Sequence, residues 1–423
     1  MTSFSVMIIG GGIGGLALAH GLRRAGIEVN VYERTLERTD WLQGYRIHIN
    51  PAGAHALHNC LPPDAWRSFL ATVSTGDSGF GFLTDQCTEL LGLTEAEINP
   101  STGPTSRHYG VSRIRLREIL LDQLDDVVHL GRNFHRYRLD GDRVTAHFAD
   151  GTTATADLLI GADGANSRVR GQLLPHAQRL DTGVLAVAGK YPLTPERASD
   201  LPPALRTRAN IVVPRGRGSL FTAVWQHDRI DRAAAGRSGT PPYDDTDYAF
   251  WGFADATDRF PPDVEQQDGA SLQQVVTDRI RGWSPAFHRL IAGSDPATLH
   301  AIRVKSATPV TPWTTGRVTL LGDAIHNMTP MAGIGANTAL RDADLLRRKL
   351  IAARAGELPL LAAISGYERE MLRYGFAAVK QSLRNAQNAA NSTPLGRATF
   401  RTILRLTAAI APMRRRMAAS LGR

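Results

Sequence analysis

Short apolar runs closed by glycine alternate in this chain with longer stretches whose apolar residues recur at helical spacing. Val6 to Ile9 is continuously apolar, Gly10, Gly12 and Gly15 follow, and Leu18, Leu22 and Ala25 recur at i, i+4 and i+7. The pattern predicts a strand, a tight turn and a helix from Leu16 to Ala25. Gly26 stops the helix, and Glu28 to Tyr32 alternates as a second strand with Glu33 at its end. Arg46 to Asn50 alternates again before Pro51 and Gly53 turn the chain into a further helix. Thr75 to Pro104 reads as loops with short strands. A helix beginning at Ser112 carries Ile114, Leu116, Ile119, Leu120 and Leu124 on one broad face.

From Phe134 to Ala156, the turn signals at Asp140-Gly141-Asp142 and Asp150-Gly151 predict paired hairpins. Leu158 to Ile160 is a strand apolar on both faces, with Asp163-Gly164 beyond its carboxyl end, where parallel α/β sheets bind ligands. Val318 to Leu321 repeats the arrangement and ends in Gly322-Asp323. A loop with Pro330, Gly333 and Gly335 then leads to Asn337, read as the N-cap of a helix from Thr338 to about Ala353.

Leu180 to His300 differs in character. Eleven of the 23 prolines and many aromatics fall there, on segments such as NIVVP, SLFTAVWQ and YAFWGFA that suggest an antiparallel sheet. One helix, Ser271 to Ile280, is expected to cross it, and Gly236 to Asp247 reads as a mobile loop. The tail from Ile364 to Leu421 is helical, broken at Pro394 and Pro412; its basic, amphipathic last part suits a brace between domains or a membrane surface.

With 423 residues, two joined domains are expected. The pattern divides them as 1–75, 105–180 and 301–363 in a discontinuous first domain, 76–104 and 181–300 in an inserted sheet domain, and 364–423 as a helical segment. The formal net charge is +9, but no basic run reads as a nucleic-acid arm. Cys60 and Cys87 are the only cysteines and show no metal or redox spacing, so no metal site is expected and a reducing cytoplasm is the simplest location. The first residues have no signal-peptide pattern, and no stretch reads as an integral membrane segment.

The glycine turn carries the first candidate chemistry. Gly10 permits a sharp turn, Gly12 leaves no Cβ in the way of a pyrophosphate, and Gly15 lets the helix lie on the strand. Phosphates placed there meet the free N–H groups around Ile13 and Gly14 and the positive end of the helix dipole. Glu33 can accept from both ribose hydroxyls and would repel the extra phosphate of NADP, so the adenosine half is that of FAD or NAD. Arg46 either reaches back to this turn or is a solvated strand residue. Arg113 sits in the first turn of its helix, against the dipole, which hints at a nearby anion.

Three separated blocks, GGGIGGL with Glu33, GADGANSRVR, and LLGDAIHNMTPMAGIGAN followed by RDA, give the chain an order that resembles the flavoprotein aromatic hydroxylases. These are single-component FAD monooxygenases similar to para-hydroxybenzoate hydroxylase. The resemblance covers Ser5 to Arg170 and Arg303 to Leu350. It implies a Rossmann-like FAD-binding domain of the GR2 type, in the α/β class, with the inserted antiparallel sheet holding substrate. On that resemblance, Gly10, Gly12, Ile13, Gly14 and Gly15 form the pyrophosphate turn, and Glu33 and Arg34 lie at the ribose. Arg46 and Arg113 lie along the cofactor, Asp163 and Gly164 form the second motif, and Asp323 meets the ribityl or ribose part. Pro330, Gly333, Gly335, Ala336 and Asn337 lie beneath the isoalloxazine. The chain departs from the family pattern at Ala332 and Ile334, where relatives often carry glycine and glutamine.

The resemblance further implies that NADH or NADPH visits, reduces FAD and leaves, and that oxygen reaches the substrate from a C4a-hydroperoxyflavin. His326 and Arg46 are the catalytic candidates; His326 could assist as an acid or base or could simply hold its loop. Phe221, Trp225, Phe250 and Trp251 could wall a bulky aromatic or polycyclic substrate or could be core. A flavin halogenase is disfavoured, because the chain lacks WxWxI and its first lysine is Lys190. An isoprenoid-acting flavin epoxidase or reductase and a non-redox flavoprotein scaffold remain alternatives. The expected partner is a small molecule, with the protein a monomer or homodimer.

Overall fold

A computed structural model describes residues 3–36, 46–73, 79–101, 103–226 and 247–422. The chain divides into two compact units, each assembled from three segments. The first comprises Met1–Ala71, Arg113–Leu180 and Lys305–Leu383; the second comprises Thr72–Ser112, Asp181–Val304 and Arg384–Arg423. The C-terminal helical tail is therefore shared between the two units and does not stand as a third. Most of the expected mobile loop at Gly236 to Asp247 lies outside the described residues.

The first unit is built on a five-stranded parallel sheet. Its strands run in the spatial order Val318–Leu320, Leu158–Gly161, Ser5–Ile9, Glu28–Tyr32 and Val128–His129. Ile8 pairs with both Ile160 and Val31, and Ile160 pairs in turn with Thr319. Because all five strands are parallel, the residues that follow Ile9, Tyr32, Gly161 and Leu320 emerge along one carboxyl edge. The central strands are buried on both faces, with Ile8, Leu158, Leu159 and Ile160 fully inaccessible, which explains why they read as continuous apolar runs. A separate three-stranded antiparallel sheet spans Phe134–Asp140, Arg143–Phe148 and Thr153–Ala156.

Two helices of this unit begin at that carboxyl edge. Ile13–Arg24 begins three residues earlier than the apolar spacing predicts, and Gly335–Ala355 also begins three residues early. They lie side by side: a Cβ at Gly14 would come within 3.2 Å of Ala339, and one at Gly21 within 2.4 Å of Arg347. Contacts advance in the same direction along both, so the helices are parallel and their N-termini share an end.

The second unit carries a seven-stranded sheet in the order His300–Ala307, Arg179–Pro192, Tyr248–Ala256, Ser219–Trp225, Ala209–Val212, Phe80–Leu83 and Glu89–Leu93. From Arg179–Pro192 across to Glu89–Leu93 the pairings are antiparallel except for one: Ala209–Val212 runs parallel to Phe80–Leu83, a departure from the wholly antiparallel expectation. One face packs Leu220, Val224, Trp251 and Phe253 against Leu272, Val276, Phe287 and Leu290 of the helices Gly269–Arg279 and Pro285–Ala292. The other face, at the Phe80–Leu93 end, buries Phe82, Leu91 and Leu93 with Leu404 and Ala418 of the tail helices Pro394–Ala409 and Ala411–Leu421.

Candidate active site

The three sequence blocks meet along the carboxyl edge of the parallel sheet. Gly10 follows the first strand at φ +111°, and its N–H donates to the Tyr32 carbonyl at 2.9 Å. A Cβ at Gly10 would lie 2.3 Å from the Ala162 carbonyl oxygen, and one at Gly15 would lie 2.3 Å from the Gly10 carbonyl oxygen. These two glycines let three chain segments close on one another. Gly12 differs: nothing lies within 4 Å of where its Cβ would be, which leaves room for a ligand at that face of the turn.

Glu33 is buried and held from both sides. Its Oε2 accepts from the Gly11 N–H at 2.6 Å, and its Oε1 accepts from the Thr35 N–H and hydroxyl at 3.0 and 2.6 Å. The carboxylate therefore stands beside the glycine turn in a fixed orientation; Arg34, next to it, is exposed. Arg117, one turn beyond Arg113 on the Arg113–Leu121 helix, points its Nε at the Gly11 carbonyl at 3.4 Å. The sequence pattern alone did not single out Arg117, although its spacing from Arg113 places it on the same helical face.

The second block is a cap. Asp163 accepts from the Ser167 hydroxyl and from the Arg168 and Val169 N–H groups, and so begins the Arg168–Leu173 helix. Burial raises the Asp163 carboxyl, with those donors acting in the opposite sense. Gly164 follows at φ +75°. Arg170 links this block to the third by donating to the Ala324 carbonyl at 2.9 Å and the Ala165 carbonyl at 3.1 Å. Arg179 adds a second link, from Asn327 Oδ1 to Asn166 Oδ1.

Asp323 stands exposed at the start of the short Asp323–His326 helix. Solvent reaches Arg113, yet surrounding protein removes enough water to hold its guanidinium below the usual arginine range, and Asp323 opposes that shift. Arg179 is lowered by burial and supported by Asp323 in the same way. The anion that the placement of Arg113 implied is thus in part the chain's own Asp323.

The expected N-cap role of Asn337 is corrected. The helix begins at Gly335 behind Ile334, no side chain caps it, and Asn337 is its third residue. The Asn337 amide instead reaches across the unit: its Oδ1 accepts from the Asn50 N–H at 2.9 Å, and its Nδ2 donates to the His48 carbonyl at 2.8 Å and the Gly333 carbonyl at 3.3 Å. It therefore ties the Arg46–Ile49 strand, and with it the half-buried Arg46, to the Pro330–Gly335 loop. Gly333 turns that loop at φ +63°.

His326 is also placed. It is fully buried, its Nε2 lies 2.7 Å from Asp342 Oδ2, and a Cβ at Gly375 would meet its ring at 2.6 Å. Asp342 accepts in addition from the Gly322 N–H and the Tyr374 hydroxyl. Burial lowers the imidazole, but the Asp342 carboxylate outweighs it, so His326 titrates above its ordinary value. A ring walled in this way holds its loop; it has no path to a substrate, which removes it as a catalytic acid or base.

Within the second unit, strand alternation separates the expected aromatic wall. Phe221, Trp225 and Phe250 share one face with Tyr248: Phe221 and Phe250 lie 6.2 Å apart, and Trp225 stacks on Tyr248 at 5.6 Å. Trp251 faces the other way, fully buried among the helices with its Nε1–H donated to Ser294 at 2.7 Å. It is core, because consecutive strand residues point to opposite faces. On the aromatic face, Lys190 pairs in register with Phe250 and holds its Nζ 4.7 Å over the Tyr248 ring. It is the only charged residue on that face over Ala186–Pro192, Ser219–Trp225 and Tyr248–Ala254, and the sequence pattern alone did not mark it as a site cation.

The first unit's donors fit a dinucleotide whose pyrophosphate lies at its middle and whose flavin ring gains negative charge on reduction. The helices Ile13–Arg24 and Gly335–Ala355 start side by side without side-chain caps, and each leaves N–H groups and a partial positive charge for a ligand. The open face at Gly12 lies beside the fixed Glu33 carboxylate at the start of the first of these helices. Such a fold and edge define a dinucleotide-binding protein. Residues 94–382 match the FAD binding domain family and residues 8–71 an NAD(P)-binding Rossmann-like domain. The chain belongs to the FAD-binding family of flavoprotein aromatic hydroxylases. A crystal structure from Photorhabdus luminescens subsp. laumondii TTO1, provisionally assigned as an FAD containing monooxygenase, is 36% identical with a TM-score of 0.80, over 92% of this chain and 99% of that one. An FAD-dependent urate hydroxylase from Klebsiella pneumoniae is 29% identical over 80% of this chain and 79% of its own length. A dual O-methyltransferase/FAD-dependent monooxygenase from Cercospora beticola is 31% identical over 86% of this chain, but the match spans only 44% of that longer protein.

Proposed function

We propose that the chain is an FAD-dependent monooxygenase that consumes NADH or NADPH and hydroxylates or epoxidises a bulky aromatic or polycyclic molecule. The observation that carries this reading is the meeting of all three blocks at one sheet edge, with two uncapped parallel helices starting there. One helix start is suited to a pyrophosphate and the other to the charge of a reduced flavin. When bound, FAD supplies the electron transfer and oxygen activation. The balance is one oxygen atom to the substrate and one to water, with two electrons from NAD(P)H.

The chain's own residues position and shield. Gly12 and the first-helix N–H groups hold the phosphates, and Glu33 takes the ribose hydroxyls. The N–H groups of Gly335 and Ala336 face negative charge, while Asn337 keeps their loop in place. Arg46 and Arg113 supply cations along the cofactor, and Asp323 accepts from its sugar or ribityl hydroxyls. In the second unit, Phe221, Trp225, Tyr248 and Phe250 offer a flat apolar face for an aromatic ring. Lys190 favours the phenolate or enolate form of that ring, which is the form more open to electrophilic oxygen. The relatives named for hydroxylation or monooxygenation support this chemistry, and the aromatic face of the second unit supports the substrate class.

Purified protein should be yellow, and NAD(P)H oxidation and oxygen uptake should both rise on adding one member of a panel of phenols, indoles and polycyclic compounds. Hydroxylated product should match the NAD(P)H consumed. A colourless protein that cannot be reconstituted with FAD overturns the cofactor assignment. Bound FAD without any NAD(P)H oxidation or oxygen uptake selects the non-redox scaffold instead.

A further inference from the structure

Among the described residues ten large apolar side chains are exposed, and five of them, Leu395, Phe400, Ile403, Leu406 and Ile410, fall in one stretch of the tail. At 3.6 residues per turn, Leu395, Ile403 and Leu406 lie within about 80° of one another and form a row about 17 Å long, and exposed Ile410 follows at the helix's C-cap. The other side of this helix is already used. Arg397, Arg401, Leu404 and Thr407 are buried, Arg401 pairs with Asp85 at 3.2 Å, and Arg397 donates to the Gly218 and Ala389 carbonyls. The inner face therefore braces its own unit, and the outer row is surplus to that role. Single exposed apolar residues need no explanation, but a continuous row does.

Charge says what covers it. No Asp or Glu occurs after Glu370, while ten Lys and Arg do, so this last part of the chain accounts for the whole net charge of +9. Arg405, Arg415 and Arg416 are exposed on the two tail helices. A two-fold pairing of this face with a second copy would set these arginines against their own images, with no acid on the segment to offset them. An apolar row with exposed cations on its own helix and on the next matches the boundary between acyl chains and anionic headgroups.

We propose that the outer face of the Pro394–Ala409 helix, with the basic Ala411–Leu421 helix beside it, docks on an anionic phospholipid surface. Leu395, Ile403, Leu406 and Ile410 enter the boundary, and the arginines meet the headgroups. The binding is peripheral: among the described residues no helix is long and apolar enough to cross a membrane. It is independent of the reaction proposed above, since it needs neither substrate nor turnover.

The test is sedimentation of the FAD-loaded protein with vesicles of phosphatidylcholine alone or with phosphatidylglycerol added. Binding is expected to the mixed vesicles only and to weaken as salt rises. Arg405→Gln/Arg415→Gln/Arg416→Gln should lower the partition about a hundredfold. Ile403→Asn/Leu406→Asn/Ile410→Asn should also lose binding; retained flavin and an unchanged denaturation midpoint would show that each variant is folded. Failure of the unaltered protein to sediment with phosphatidylglycerol at low salt overturns the proposal, as does undiminished binding by both variants. Elution as a dimer that the apolar variant converts to monomer would give the face to a second copy and overturn it as well.

Discussion

Gly10 and Gly12 are two residues apart and make opposite demands. At Gly10 a side chain would need φ +111° and would strike the Ala162 carbonyl, whereas Gly12 sits at φ −80° with open space beyond it. Gly12→Val is therefore expected to fold with a denaturation midpoint near that of the unaltered apoprotein and to lose its flavin. Gly10→Ala should lose stability outright. Normal FAD content in Gly12→Val, read from the visible-to-ultraviolet absorbance ratio, would show that the pyrophosphate lies elsewhere. A second residue-scale prediction concerns His20, whose Nε2 meets the Leu120 carbonyl at 3.0 Å. Burial lowers its pKa to about 4. The folded value lies below the unfolded one, so the contribution of neutral His20 is present above pH 6.5 and is lost as pH falls toward 4, by about 3 kcal/mol. His20→Gln keeps a donor for Leu120 without a titrating ring. Urea denaturation across that window should show a shallower fall for the variant; parallel curves would exclude His20 as the source.

At the scale of elements, the Gly335–Ala355 helix depends on an amide that serves other segments. Asn337→Leu would remove the acceptor of the buried Asn50 N–H and one donor to the His48 carbonyl, and should cost about 2–4 kcal/mol in denaturant titrations. FAD affinity should fall with it, because the Pro330–Gly335 loop would no longer be tied to the Arg46–Ile49 strand. Unchanged stability would mean that water replaces the amide freely. The same residue shows where sequence reading stops. Strand, glycine turn and helix are legible at Val6 to Glu33 because their signals are local. Asn337 before an apolar helical run also looks like a local signal, yet its bonds go to residues nearly three hundred positions away. The aromatic wall misleads for a different reason. Phe250 and Trp251 are adjacent, and period-two alternation already forbids both from lining one face; aromatic content is a weaker guide than spacing. Lys190 follows the same alternation, but which face it shares is visible only once its strand pairs with Tyr248–Ala256. The burial of His326 is not legible either, because Asp342, Tyr374 and Gly375 enclose it only once the fold brings them together.

For the whole molecule, the decisive matter is whether three blocks separated by most of the chain act as one site. Gly10 to Gly15, Asp163 to Arg170 and Gly322 to Asn337 belong to a single compact unit and are joined by hydrogen bonds that run from block to block, through Ala162, Arg170 and Arg179. A ligand that spans the edge must stabilise them together. At about a hundred times its dissociation constant it adds about 2.7 kcal/mol to the folded state. Hydrogen exchange on the apoprotein, followed by addition of FAD, should therefore slow amides at Gly12 to Leu16, Asp163 to Arg170 and Gly333 to Ala339 with the same FAD concentration dependence. If only Gly12 to Leu16 gained protection, the first block would be an adenylate site alone, and the reading of one cofactor stretched over three strand ends would fail. If Gly333 to Ala339 responded at a lower FAD concentration than the glycine turn, two ligand sites would be present where the shared carboxyl edge implies one. Common dependence in all three would also explain why the family resemblance resides in short, widely spaced blocks: each strand end contributes one segment of a binding edge, and the intervening chain builds the sheet that aligns them.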